Sequence, residues 1–190
     1  MSPLVAAVSH ILSFLTVAGD TLIILLFVTF LVRKLNGDPG WLNFIGDKGI
    51  AAAFAIAFLA TGSSLFYSEI AGLVPCELCW FQRIFMYPQV IMLGIALWKK
   101  DRRIADYSIA LSVIGATIAA YHYLLQIGIA PFALPCSAVG YSVSCSKVFV
   151  NDFGYVTIPM MALTAFLLII EFAAAVKSQN LGKSGEVSGR

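Results

Sequence analysis

Leu73-Val74-Pro75-Cys76-Glu77-Leu78-Cys79-Trp80-Phe81-Gln82-Arg83 stands between two apolar runs of membrane length, 49–69 before it and 81–98 after it. Pro75 keeps this stretch out of the preceding helix, so the two runs read as separate helices joined by a short connection. Cys76 and Cys79 then sit at the mouth of the second helix, with Arg83 one turn further in. A CxxC pair in that position lies within reach of water on one side and lipid on the other.

The rest of the chain supports a membrane setting. Of its 190 residues 60% are hydrophobic and 12% charged, with a mean hydropathy of +0.91. Soluble domains carry about 45–50% apolar and about 25% charged residues. A chain of this size has too little interior to hide such a composition, so most of it faces lipid. Net charge is only +2, which leaves a nucleic-acid partner without an electrostatic basis.

Five apolar segments follow in order: Val8–Val32, Gly49–Glu69, Phe81–Trp98, Ile104–Ile127 and Val156–Val176. Each is close to the roughly 20 residues that cross a hydrocarbon core. Each is expected to be helical, because a segment in lipid must satisfy its own backbone. The first has no basic region before it, and Arg33 and Lys34 come after it, so it reads as a retained anchor and not a signal peptide. Ten of the twelve Lys and Arg residues, including Lys48, Lys99, Lys100, Arg102, Arg103 and Lys177, fall on one side of a five-span arrangement. The positive-inside rule makes that side cytoplasmic. The N-terminus and both cysteine loops are then extracytoplasmic, and the C-terminus cytoplasmic. The expected fold is an all-α integral membrane protein: a four-helix transmembrane bundle over 36–176, an additional N-terminal transmembrane helix over 1–35, and a disordered cytoplasmic tail over 177–190.

Between the first two segments, Asp38-Pro39-Gly40 is a turn signal, and Trp41 and Phe44 suit an interfacial position. The loop 128–155 is long for a bundle connection, which marks it as functional or disordered. Its apolar start, Ile129–Cys136, is broken by Pro131 and Pro135 and reads as lying on the membrane surface. Gly115/Ala119 and Ala116/Ala120 recur at the four-residue spacing of closely packed membrane helices, although small residues are also simply common there. Asp20 is costly if it lies mid-membrane, and the sequence assigns it no function.

All four cysteines, Cys76/Cys79 and Cys136/Cys145, fall in the two outer loops, a compartment that permits disulfides. Three readings compete: structural bridges, a four-thiolate zinc site, and exchanging redox disulfides. A CxxC bridge closes too small a loop to stabilise much, whereas CxxC geometry lowers a thiol pKa and suits exchange. Paired thiolates also suit zinc. If the helix starts near Trp80, Cys79 stands at its N-terminal end, where the dipole favours a thiolate, and Arg83 lies on the same face. Arg83 stands on the side poor in positive charge, which favours function over simple snorkelling to headgroups. His122, at the outer end of the fourth segment, is either a satisfied belt residue or, with Gln126 on its face, a donor to a polar head group.

These motifs resemble the DsbB/BdbC family of membrane disulfide-bond formation proteins. The resemblance rests on Cys76–Pro88, on Tyr121-His122, on Pro131-Phe132-Ala133-Leu134-Pro135-Cys136 with Cys145 after it, and on Thr157-Ile158-Pro159; it covers about 49–176. It implies a thiol:quinone oxidoreductase of the bacterial cell (inner) membrane. Cys136 would form a mixed disulfide with a reduced DsbA-like thioredoxin-fold partner, and Cys145 would then attack Cys76. Cys79, beside Arg83, would pass electrons to a quinone, ubiquinone or menaquinone, with Arg83 and His122 lining its head-group site. The segment Val8–Val32 is extra to the family's four helices. The nearest enzymatic alternative is a vitamin K epoxide reductase-like protein, against which the order of the cysteine pairs argues. The non-enzymatic alternative is a membrane scaffold stapled by zinc or disulfides.

Overall fold

A computed structural model describes residues 3–36, 41–129 and 144–188, and within them the fold is helical. The order is α1 (Pro3–Asn36), α2 (Trp41–Leu65) ending in a π-helical turn at Phe66–Ile70, α3 (Glu77–Lys99), α4 (Ile104–Gln126) and α5 (Ile158–Ser188). Four of these, α1, α2, α4 and α5, are long and apolar enough to cross a membrane. The fifth, α3, has 23 residues like α4 and packs between α2 and α4. It is less apolar because it carries Gln82, Arg83 and Gln89, each of which hydrogen-bonds to groups within the bundle. The arrangement is the all-α membrane bundle that the sequence predicts, with one helix added at the N-terminus.

Helix α5 is the axis of the bundle and packs against α4, α2 and α1. Its fit to α4 depends on small residues: Gly115 faces the ring of Phe166, where an added Cβ would overlap the aromatic carbons, and Ala116 and Ala119 are buried beside it. The four-residue pattern on α4 is therefore a packing surface. Between α3 and α4, buried Gln89 Oε1 accepts hydrogen bonds from Ser108 Oγ (2.7 Å) and Ser112 Oγ (3.1 Å), and its Nε2 donates to the Phe85 carbonyl. Such pairing lets a polar side chain sit inside a lipid-facing fold. At the basic end, Arg102 pairs with Asp47 and Lys177 with Asp106, both at 2.6 Å. Cys76, Cys79 and Cys145 lie at the opposite end.

Two boundaries differ from the sequence expectation. Trp41 and Phe44, expected in a connection, already belong to α2, and the turn signal Asp38-Pro39-Gly40 lies outside the described residues. Helix α5 continues through 177–188, where a disordered tail was expected. A helix that is already formed in the bundle extends without a new nucleation cost, which a composition argument for disorder overlooks.

Helix α1 is tied to the bundle by polar contacts that also account for Asp20. Thr164 Oγ1 donates to Asp20 Oδ1 at 2.6 Å and the Tyr155 hydroxyl to Asp20 Oδ2 at 3.1 Å. Ser13 Oγ donates to Asp152 Oδ2 at 2.7 Å, and the Tyr67 hydroxyl reaches Ser9 Oγ at 3.2 Å. Asp152 belongs to a tight turn closed by a bridge to Val156, in which Phe153 and Gly154 take positive φ of 55° and 78°.

Candidate functional site

The CxxC segment folds into the start of α3 in a way that distinguishes its two thiols. Cys76 is the N-cap, with extended backbone (φ −76°, ψ 173°), and its carbonyl accepts the Trp80 N–H. The helix thus begins three residues earlier than Trp80, which places Cys79 in its first turn. From there the Cys79 sulfur accepts a backbone hydrogen bond from Cys76, the reciprocal contact of a capping box with sulfur in place of a carboxylate.

The two sulfurs lie 3.3 Å apart, with Cys76 Sγ donating to Cys79 Sγ. That hydrogen bond, followed by burial, pushes the Cys76 thiol up to about 12, while its contact with His122 works in the opposite direction. The same bond holds Cys79 below the ordinary thiol range; burial opposes it, and the backbone N–H and the Arg83 charge reinforce it. In the reduced state Cys79 is the more acidic thiol of the pair and Cys76 the one that holds its proton more tightly.

Arg83 is anchored by α2. Its Nε donates to Ser64 Oγ (3.0 Å) and its Nη2 to the Ser64 carbonyl (3.1 Å), and its guanidinium lies over the Trp80 ring at 5.2 Å. A side chain held in this way presents its charge to the Cys79 thiolate and is not extended towards headgroups.

His122 is buried at 2% exposure and joins the two cysteine segments. Its Nε2 stands 3.1 Å from the Cys145 carbonyl and 3.7 Å from Cys76 Sγ. A carbonyl only accepts, so Nε2 carries the proton. Nδ1 is then an acceptor, and Gln82 Nε2 donates to it at 3.0 Å. Gln82, buried in α3, therefore selects the tautomer that faces the sulfur. Cys145 is itself buried and packs with Cys76, Leu78 and Leu125, so the second loop reaches the CxxC. Gln126, expected beside His122, instead donates to the Lys147 carbonyl at 3.1 Å.

These groups form the polar end of a cavity of about 550 Å³ between α1, α2, α3 and α5, lined by Cys76, Cys79, Gln82, Arg83, His122 and Cys145 and elsewhere mainly by apolar side chains. Five of the six site residues expected from the sequence (Cys76, Cys79, Cys145, Arg83 and His122) thus converge on one space. Cys136, and with it the Cys136/Cys145 pairing and the apolar start of its loop, lies outside the described residues. Gln82 and Ser64 were not anticipated. Gln82 carried a faint signal, an uncharged polar residue three positions after Cys79 in a membrane helix; Ser64 carried none, because its role depends on α2 lying against α3.

Cys76 Sγ, Cys79 Sγ and His122 Nε2 also lie within 4.8 Å of one another, a possible three-ligand set for a metal ion. A metal would require the Nε2 lone pair, whereas this arrangement places a proton there for Cys145.

A dithiol with one thiol made more acidic than its mate, set in a membrane helical bundle and touched by a second cysteine loop, defines a membrane thiol–disulfide oxidoreductase. Residues 47–176 match the family model of disulfide bond formation protein DsbB, and the chain belongs to that family. It is 51% identical over 123 residues to a probable disulfide formation protein C 1 from Bacillus cereus (strain ATCC 10987 / NRS 248), covering 65% of this chain and 87% of that one. Over 130 residues it is 44% identical to disulfide bond formation protein C of Bacillus subtilis (strain 168), covering 67% and 91%. Over 136 residues it is 42% identical to an SPbeta prophage-derived disulfide bond formation protein B of the same strain, covering 70% and 90%. No solved structure is significantly similar. Helix α1 lies outside the matched residues.

Proposed function

We propose that this protein reoxidises an extracytoplasmic DsbA-like thioredoxin-fold partner and passes the electrons to a membrane quinone, ubiquinone or menaquinone. The observation that carries this reading is the asymmetric dithiol, with Cys76 Sγ donating to the more acidic Cys79 at 3.3 Å, at the polar end of an otherwise apolar cavity. The concentration of basic residues at the opposite end supports an orientation with that end cytoplasmic and the cysteines outside.

The partner's dithiol is oxidised as a Cys136–Cys145 disulfide is reduced. The Cys145 thiolate then attacks Cys76 of an oxidised CxxC, and Cys79 leaves as the thiolate. A low Cys79 pKa favours that departure. His122, bonded to the Cys145 carbonyl and facing Cys76 Sγ, keeps the two reacting segments together. Resolution of the mixed disulfide by Cys136 leaves a reduced CxxC carrying two electrons and two protons. A bound quinone supplies an acceptor for both pairs. The cavity fits such a molecule, since Arg83, His122 and Cys79 form a polar end for its head and the apolar walls suit its tail. There Arg83 neutralises negative charge that develops at Cys79, and burial keeps bulk water from Cys76 and Cys145.

The test is turnover by the purified protein with a reduced thioredoxin-fold substrate and a quinone. Oxidation of the substrate with stoichiometric quinol formation, lost in Cys79→Ser, is the expected result. Quinone reduction that survives Cys79→Ser would overturn the reading.

A zinc-stapled scaffold is the second reading, favoured by the three-ligand set Cys76, Cys79 and His122. It predicts metal in the purified protein and unfolding on chelation, whereas the oxidase predicts chelator-insensitive turnover.

A further inference from the structure

The helix that the family model leaves out forms part of the cavity that the catalytic groups open into. Leu12, Leu15, Thr16, Ala18, Gly19 and Leu22 line it from α1, and their spacing puts them on one helical face. Gly19 also marks the seam with α5, since an added Cβ would lie 2.8 Å from Thr164 Cγ2. Helix α1 packs along α5, where the Asp20–Thr164 bond pins it, and the Tyr67–Ser9 bond joins it to the end of α2. The cavity is the space left between α1 and the α2–α3 pair.

The shape of that space indicates its occupant. Its lining on α5 runs from Ile158 to Phe172, fourteen steps of helix or about 21 Å. Polar side chains that bear on the dithiol gather at one end, while the α1 wall offers Leu12, Leu15, Ala18 and Leu22. An elongated apolar slot with a redox-active polar end fits a molecule with a small reducible head and a long hydrocarbon tail.

We infer that α1 is the tail-binding wall of this cavity, so that this protein selects quinones by their isoprenoid chain through a helix that the family match does not include. The inference rests on the quinone reading above and adds to it a role for α1. The cavity face of α1, with Leu15 47% and Leu22 37% exposed, is uncovered within the chain and so leaves the tail apolar surface to lie against.

A quinone carrying a photoactivatable group on its tail, irradiated with the full-length protein in lipid vesicles and followed by peptide mass spectrometry, tests the wall directly. Labelling within residues 12–22, suppressed by excess unlabelled long-chain quinone, is expected. Labelling confined to α2, α3 or α5 would overturn the inference. In turnover, Ala18→Phe should raise the ratio of KM for long-tailed to KM for tail-less quinone about tenfold, the effect of roughly two methylene groups excluded from the slot. Ile24→Phe, on a lipid-facing position outside the cavity, should leave that ratio unchanged. If Ala18→Phe does not fold, Leu22→Ala should raise the same ratio by removing tail contact. An unchanged ratio with intact quinone turnover would defeat the role of α1 alone; absence of turnover with any quinone in the wild-type protein would defeat the quinone reading as well.

Discussion

Gln82 gives its side-chain amide hydrogen to Nδ1 of His122 across 3.0 Å, and so decides which imidazole nitrogen carries the proton towards Cys76 and Cys145. Replacing Gln82 by Leu removes the donor and frees the ring to adopt the other tautomer, which has no hydrogen for the Cys145 carbonyl. Electron transfer between the two cysteine pairs should slow by about tenfold, the worth of one buried hydrogen bond. Single-turnover rates measured with reduced partner, in samples that are still fully folded, would show this. An unchanged rate in folded Gln82→Leu protein would mean that Gln82 acts only in packing.

The two CxxC thiols should separate by pH. With Cys79 held below the ordinary thiol range and Cys76 pushed up to about 12, alkylation of the reduced protein at neutral pH should modify Cys79 first. Arg83→Met removes a positive charge that favours the thiolate, so the pH profile of Cys79 alkylation should move upward, with slower reaction at pH 7 and recovery at higher pH. Mass spectrometry of the alkylated peptides reads both effects. Preferential modification of Cys76 would contradict the assignment.

Gly115 should tolerate no side chain against Phe166. Gly115→Val forces overpacking at the α4–α5 contact and should cost about 1–3 kcal/mol, visible as a lower melting point in detergent. Combining it with Phe166→Ala should recover part of the loss, because the second change makes room for the first.

Asp20 should act as a structural tie. In Asp20→Ala the Tyr155 hydroxyl loses its acceptor and Thr164 keeps only the Met160 carbonyl of its own helix, so the contact of α1 with α5 should weaken by about 0.6 kcal/mol and at most about 1.7, the average and maximum for hydrogen bonds inside a membrane protein. Disulfide trapping between cysteines placed on α1 and α5 should become slower or less specific, with the fold of 47–176 preserved.

Much of this protein was legible along the chain. Apolar runs of membrane length and the bias of Lys and Arg marked its helices and ends, because lipid forces each span to be a continuous apolar helix. The CxxC pair and Arg83 were legible because their chemistry depends on spacings of three and four residues at the start of one helix. Gln82 was visible only as a polar residue inside an apolar run, and the extension of α5 beyond 177 was hidden by a polar composition that looks disordered when read apart from the helix feeding it.

Tertiary structure alone decided the rest. Ser64 holds Arg83 only because α2 lies against α3, and Gln82 sets His122 only because α4 brings the imidazole to α3. The Cys145 carbonyl meets His122 after the chain has travelled out of α4 and back, and Asp20 finds Thr164 across a separation of 144 residues. Local sequence determines a helix because its hydrogen bonds run four residues apart. A site assembled from four helices and a loop depends on how their faces pack, and one helix's sequence does not specify its neighbour. That packing turned α1 from an unexplained extra span into one wall of the cavity.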